Sequence, residues 1–219
     1  GLFEVTTIRD GVARQIEARA LLPELALPVA GDRAPPGGMG PAPRAIPILA
    51  GMHLPPLPED AMRSRLALGA FARPWPGVVS VTHAPTGAML LDLPRVAMLG
   101  ELADDLAGGS MFLWDEGNAV ELTLFGGHLA SRDEDEVLAG ANRIAVETDS
   151  GAWEVIGFAE AELVATARYR LTRLLRGQQG TDHAIGPAAS GARIVVLDGR
   201  IGTLPVSPAW LDTMLPLRG

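Results

Sequence analysis

The chain has 219 residues, with 26 acidic against 18 basic side chains, a formal net charge of −8 and no cysteine. That balance excludes a basic nucleic-acid surface, and the missing thiols exclude disulfides and thiolate metal sites. With 47% hydrophobic but only 5% aromatic residues, the core has to be built mostly from Val, Leu, Ile and Ala, in one large domain or one domain with an appendage.

Leu2 to Ile8 and Val12 to Leu22 read as two strands around Arg9-Asp10-Gly11, since Asp-Gly between β-branched runs favours a hairpin. A lone hairpin is marginal in water, so its sheet is expected to be completed upstream or by another subunit. The chain starts at Gly1 and is strand-like almost at once, which reads as a piece of a longer polypeptide. No charged-then-apolar secretion signal opens it, and no window approaches the about 20 apolar residues of a membrane span.

From Pro23 to Pro58 the character changes. Pro35-Pro36-Gly37-Gly38, Pro41, Pro43, Pro47 and Pro55-Pro56 exclude a continuous helix or a central strand. Residues 23–60 are therefore expected to form an extended, semi-rigid arm. Ile46, Ile48, Leu49, Met52, Leu54 and Leu57 make that arm apolar enough to lie along a partner surface.

Residues 61–219 form the third segment, a β-rich domain. Val78 to Thr82 and Met89 to Leu93 flank Pro85-Thr86-Gly87; Met111 to Trp114 and Ala119 to Phe125 flank Asp115 to Asn118; Asn142 to Thr148 and Ala152 to Phe158 flank Asp149-Ser150-Gly151. Ala161 to Thr166, Tyr169 to Leu175 and Arg193 to Leu197 follow. Short strands separated by Gly-bearing turns imply an all-β fold, mainly an antiparallel barrel or sandwich, with at most one or two short helices. Leu99, Leu102 and Leu106 fall at helical spacing, with Gly108 placed to end that helix.

No group of residues has the spacing that catalysis or metal binding needs. Arg132-Asp133-Glu134-Asp135-Glu136 lacks the alternate ligands and the bend glycine of a calcium loop and reads as a solvated loop. His53, His83, His128 and His183 are scattered, and Ser131 near His128 has no nucleophile elbow. Glu116, Glu121, Glu154, Glu160 and Glu162 are acid–base candidates by residue type alone. No catalytic, cofactor-binding or metal-ligating residue is assigned, and no cofactor is expected. The turn Gly177-Gln178-Gln179-Gly180-Thr181-Asp182 lacks the Gly-Lys-Ser/Thr ending of a phosphate loop. Gly177 and Gly180 are expected to supply positive φ angles there, with Thr181 or Asp182 bonding local backbone. Trp75, on the stiff turn Pro74-Trp75-Pro76-Gly77, is suited to docking into a neighbour. Trp114, Trp153 and Tyr169 read as core or interface anchors rather than a sugar platform.

Leu68-Gly-Ala-Phe-Ala-Arg-Pro-Trp-Pro-Gly77, Leu138-Ala-Gly-Ala-Asn142, Trp153-Glu-Val-Ile-Gly-Phe158 and Leu174-Leu-Arg-Gly-Gln-Gln-Gly-Thr181, in this order, resemble the C-terminal domain of the baseplate "megatron" protein of gene transfer agents and related siphophage tail-tip proteins. The resemblance spans roughly Ala61 to Gly219, and residues 1–22 look like the end of that family's preceding tail-protein domain. It implies a structural, non-enzymatic component of a phage-like particle, assembled in the bacterial cytoplasm and found at the tail tip. Such a component closes the tail channel and contributes to envelope penetration and DNA delivery. The implied partners are copies of itself, as a trimer around the tail axis, and the baseplate hub and distal tail proteins. DNA would pass transiently without specific binding, and the recipient cell envelope would be a further contact. Full-length members carry a TIM barrel similar to glycoside hydrolases, but these residues contain no (β/α)₈ repeat and no catalytic role transfers. A carbohydrate-binding β-sandwich is the alternative reading, and a glycoside hydrolase-like enzyme the third.

Overall fold

The computed structural model describes residues 2–9, 15–21, 45–55, 65–206, 210 and 215–219. The chain divides into two compact units, Gly1–Pro43 and Arg44–Gly219. In the first, β1 (Leu2–Arg9) pairs antiparallel with β2 (Gln15–Leu21), with Leu2 opposite Leu21 and Arg9 opposite Gln15. This is the expected hairpin; its Asp10-Gly11 reversal lies outside the described residues.

Among the described residues, the second unit is all-β apart from single helical turns. Its centre is a closed antiparallel barrel of six strands in the order β10-β11-β8-β7-β12-β9. The strands are β7 (Leu99–Leu102), β8 (Val120–Leu124), β9 (Arg143–Glu147), β10 (Trp153–Ala165), β11 (Arg168–Gln178) and β12 (Arg193–Val196). Strand alternation accounts for the interior. Val120, Leu122 and Leu124 of β8, Ile144 and Val146 of β9, and Ile194 and Val196 of β12 all join one buried cluster with Ile156 and Phe158. Closure removes the unpaired edges that an open sheet of this length would present.

Two three-stranded sheets add layers outside the barrel. The first has the order β13-β4-β3, from β13 (Gly202–Pro205), β4 (Arg65–Phe71) and β3 (Ile48–Leu54). The second is β14-β5-β6, from β14 (Leu217–Arg218), β5 (Val79–His83) and β6 (Met89–Leu93). Odd and even residues of β4 serve different layers. Ala67 packs with Met52, Leu99, Val155 and Val195 against the barrel wall, while Leu68 and Ala70 pack with Val79, Val81 and Leu93 of the outer sheet. Burial on both faces explains why β4 lacks polar alternation.

The structure departs from the sequence reading in several places. Residues 48–54, counted in the extended arm, form the edge strand β3, with Ala50, Met52 and Leu54 buried. Pro47 and Pro55 flank this strand instead of interrupting it. Residues 23–44 and 56–60 of the arm lie outside the described residues. Leu99 and Leu102 belong to strand β7 and face opposite ways, Leu99 toward β4 and Leu102 into the barrel, so their helical spacing is incidental. Residues 111–114 form no strand; only Asp115 makes a bridge, to Leu174. The runs 152–158 and 161–166 are one strand, β10, of 13 residues. The acidic run 132–136, read as a loop, enters the short helix α1 (Glu134–Leu138). There the Glu136 carboxylate accepts the Asp133 amide at 3.3 Å and Val137 anchors the turn in the core. Acids in a first helical turn face the positive end of the backbone dipole, which favours helix over loop.

Candidate functional site

The connection between β7 and β8, residues 103–119, carries three consecutive exposed apolar side chains above a fully buried ion cluster. Phe112 is 87% exposed, Leu113 69% and Met111 44%, and Phe112 holds a φ of +64°. Directly after this tip the chain turns inward. Trp114 rests against the small cluster of Val137, Ala159 and Leu175, with the Arg173 guanidinium 5.6 Å from its ring centroid. Asp115 then pairs with Leu174 of β11 through both backbone groups, at 2.8 and 3.1 Å.

The Asp115 side chain lies in a closed network. Its Oδ1 accepts the amides of Gly117 and Asn118 at 3.2 and 3.1 Å; its Oδ2 accepts Asn118 Nδ2 at 2.8 Å and Arg176 Nη1 at 3.3 Å. Arg176, on β11, donates through Nε and Nη2 to the two oxygens of Glu154 on β10, at 2.6 and 2.8 Å. Its Nη1 also reaches the Ala107 carbonyl at 3.1 Å, and the Gly177 amide donates to Glu154 at 3.1 Å. Both the Arg176 and the Glu154 side chains are 0% exposed. Buried charges hold such a position only when every donor and lone pair is matched, and the two-pronged guanidinium–carboxylate pair does this. Burial pushes the Asp115 carboxyl up, but the Asn118 side-chain and backbone hydrogen bonds and the Arg176 charge outweigh it, so it titrates below the usual carboxylate range. Gly109 completes the seal: a Cβ there would sit 2.2 Å from Asp115 Oδ2 and 2.6 Å from Arg176 Nη1. The cluster ties two barrel strands, β10 and β11, to the loop that carries the apolar tip.

Of the other carboxylates considered for catalysis, Glu121, Glu116 and Glu160 are engaged, and Glu162 is exposed on β10 with no side-chain bond among the described residues. Glu121 holds Arg168 at 2.8 Å, Glu116 holds Arg173 at 3.3 Å, and Glu160 accepts the Thr172 hydroxyl at 2.6 Å. Glu147 binds Arg193 through both oxygens at 2.6 and 2.7 Å. The hydrogen bonds from Arg193 hold the Glu147 carboxyl below its usual range, and the same guanidinium lies 5.4 Å from the Trp153 centroid. His83 bonds Thr86 and His183 approaches the Gly180 carbonyl. Among the described residues, no three His, Asp or Glu side chains are grouped to hold a metal.

The turn after β11 is a backbone device. Gly177 and Gly180 have φ of +60° and +75°, and a Cβ on Gly177 would lie 2.7 Å from the Asp182 Cα. Thr181 is fully buried; its hydroxyl donates to the Gln178 carbonyl at 2.7 Å and accepts the Val155 amide at 2.9 Å. Asp182 is exposed and opens a single 3₁₀ turn, Asp182–Ala184. Trp75 is half-buried beside the outer sheet, with its Nε1 donating to the Gly77 carbonyl at 3.0 Å. Trp153 and Tyr169 are buried, each at 6% exposure.

Sequence reasoning missed the ion cluster. Arg176 and Glu154 are 22 positions apart and look like ordinary strand-face charges; only the β10–β11 pairing brings them together.

By its fold, the second unit is built on a closed barrel whose buried charges brace its wall. Residues 97–195 match the family described as Rcc01698-like, C-terminal, which is associated with the gene transfer agent of Rhodobacter capsulatus. The matched stretch starts just before β7 and ends within β12, so it coincides with the closed barrel and includes the apolar tip and the ion cluster. This part of the chain is thus related to a gene-transfer-agent protein. No curated protein matches the chain.

Proposed function

We propose that this chain is a structural module of the tail tip or baseplate of a phage-like, gene-transfer-agent particle. It works by packing and symmetric assembly, without catalysis. The coincidence between the matched residues and the closed barrel carries this reading, because it ties the gene-transfer-agent relationship to a complete structural unit. The consumption of Glu154, Glu121, Glu116 and Glu160 in structural bonds supports it. Copies of the chain would assemble around the tail axis, as a trimer, on the hub and distal tail proteins. A net charge of −8 would keep passing DNA from adhering to the channel. The glycan-binding alternative gains nothing from Trp153 and Tyr169, whose rings are buried.

Particles carrying an affinity-tagged copy of the chain test this reading. Gold labelling of the tag is expected at the tail end, with deletion of the coding region leaving particles that cannot deliver DNA. Label on the head, or its absence from purified particles, would refute it.

A further inference from the structure

We propose that the pocket beside Trp75 binds a small organic anion, a carboxylate carried on one ring-sized apolar body. The proposal is independent of the assembly reading above, because the whole pocket belongs to one copy of the chain.

The pocket lies where the residues after β4 meet those just before β7 and just after β8. Its volume is about 380 Å³. Ligand pockets run from about 300 to 1,000 Å³, so this one suits a single ring with a short substituent better than an extended cofactor. The lining is already packed into place. A Cβ on Gly126 would lie 2.9 Å from the Phe71 ring, and one on Gly127 2.4 Å from the Met98 sulfur, so both glycines are closely covered. Phe71 is held 5.9 Å from Phe125, and Trp75 donates to the Gly77 carbonyl at 3.0 Å. A wall ordered before binding costs a ligand little further ordering.

Two guanidinium groups, Arg73 and Arg200, stand against this apolar lining, and among the described residues no carboxylate lines the pocket. That reverses the balance of a chain with 26 acidic and 18 basic side chains. The arginines of β11 and β12 differ: Arg168, Arg173, Arg176 and Arg193 each hold a carboxylate. Arg73 is exposed and makes no hydrogen bond or ion pair among the described residues. Its Nη2 lies 4.0 Å from the same Gly126 Cβ position that meets the Phe71 ring, so free cation and aromatic wall converge at one point. Arg200 reaches Asp198 only at 3.6 Å and stays 41% exposed.

The charges choose the ligand. A guanidinium presents paired N–H donors that match the two oxygens of a carboxylate. A phosphate ester brings about −1.5 to −2 charges and three acceptor oxygens, more than one free guanidinium and one shared with Asp198 satisfy. A cation is repelled, and a neutral ring leaves Arg73 without a partner.

The test titrates the chain with benzoate, glucuronate and phenyl phosphate, and with the neutral benzyl alcohol and glucose, read by tryptophan fluorescence and saturation-transfer NMR. At least one carboxylate is expected to bind at least tenfold more tightly than its neutral counterpart. Preference for benzoate assigns the pocket to an aromatic acid, and preference for glucuronate to an acidic sugar unit. Arg73→Gln, a change at an exposed position, is expected to weaken that binding at least tenfold with the thermal unfolding midpoint unchanged. Arg132→Gln, on an exposed arginine outside the pocket, is expected to leave it as it was. No binding of either carboxylate, equal binding of the neutral compounds, tighter binding of phenyl phosphate than of benzoate, or undiminished affinity in Arg73→Gln overturns the proposal. None of these results bears on the assembly reading.

Discussion

At the scale of single residues, the Arg176–Glu154–Asp115 cluster is sensitive to the loss of any one member, because its partners are left as buried, unmatched charges. Arg176→Met strands two buried carboxylates and is expected to lower unfolding free energy by about 3–5 kcal/mol in urea titration. The cluster also sets an acid limit. The Asp115 carboxyl titrates lower in the folded chain than in the unfolded one. Its contribution is therefore complete above the unfolded value, about 4, and is lost as pH falls through the lower folded value. Asp115→Asn is expected to be less stable than the parent at pH 7, with the gap shrinking below about pH 4; a gap independent of pH would contradict this. Glycines separate space from conformation. Gly109→Ala is expected to cost about 1–3 kcal/mol by forcing the ion pair apart. Gly199, with nothing near its missing Cβ and no positive φ, is expected to tolerate Ala within about 0.5 kcal/mol. Denaturant midpoints of the two variants give the comparison.

At the scale of elements, the long strand β10 shows how burial decides what a sequence reveals. Its first seven residues are buried and its last part is mostly exposed. Phe158→Ala, at 1% exposure, is expected to cost about 3–5 kcal/mol, and Leu163→Ala, at 61%, close to nothing. Equal losses in thermal unfolding would mean that the β10–β11 hairpin tip is buried against something else. The hairpin β9–β10 was legible because Asp149-Ser150-Gly151 is a local turn signal, and Gly151 has a φ of +80°. Strand β7 was not, because its outer face is covered by β4; a strand buried on both sides gives no alternation, and three leucines then mimic a helix. Helix α1 was hidden by its acids, which read as solvated charge until Val137 is seen in the core. Along β11, Tyr169 and Leu171 face the barrel interior on one side of Arg173 and Leu174 on the other, with Arg173 itself at a φ of +53°. No spacing rule could anticipate that change of face.

At the scale of the whole chain, the sequence carried the all-β class and, over residues 97–195, the similarity to a gene-transfer-agent-associated family, but not the layering of barrel and two small sheets. The extra layers pair β13 with β4 and β14 with β5, strands far apart in sequence, and such pairings leave no local trace. The exposed aromatic features were legible only in part. Trp75 stood out on its rigid turn, whereas Met111–Leu113 looked like a strand because its exposure depends on the buried anchor at Asp115. The most direct measurement is a reconstruction of the particle's tail end, fitted with the barrel formed by residues 99–196. A closed ring of identical barrels around the channel is expected. Barrels found singly away from the axis, or a tail end without them, would contradict a role in symmetric assembly.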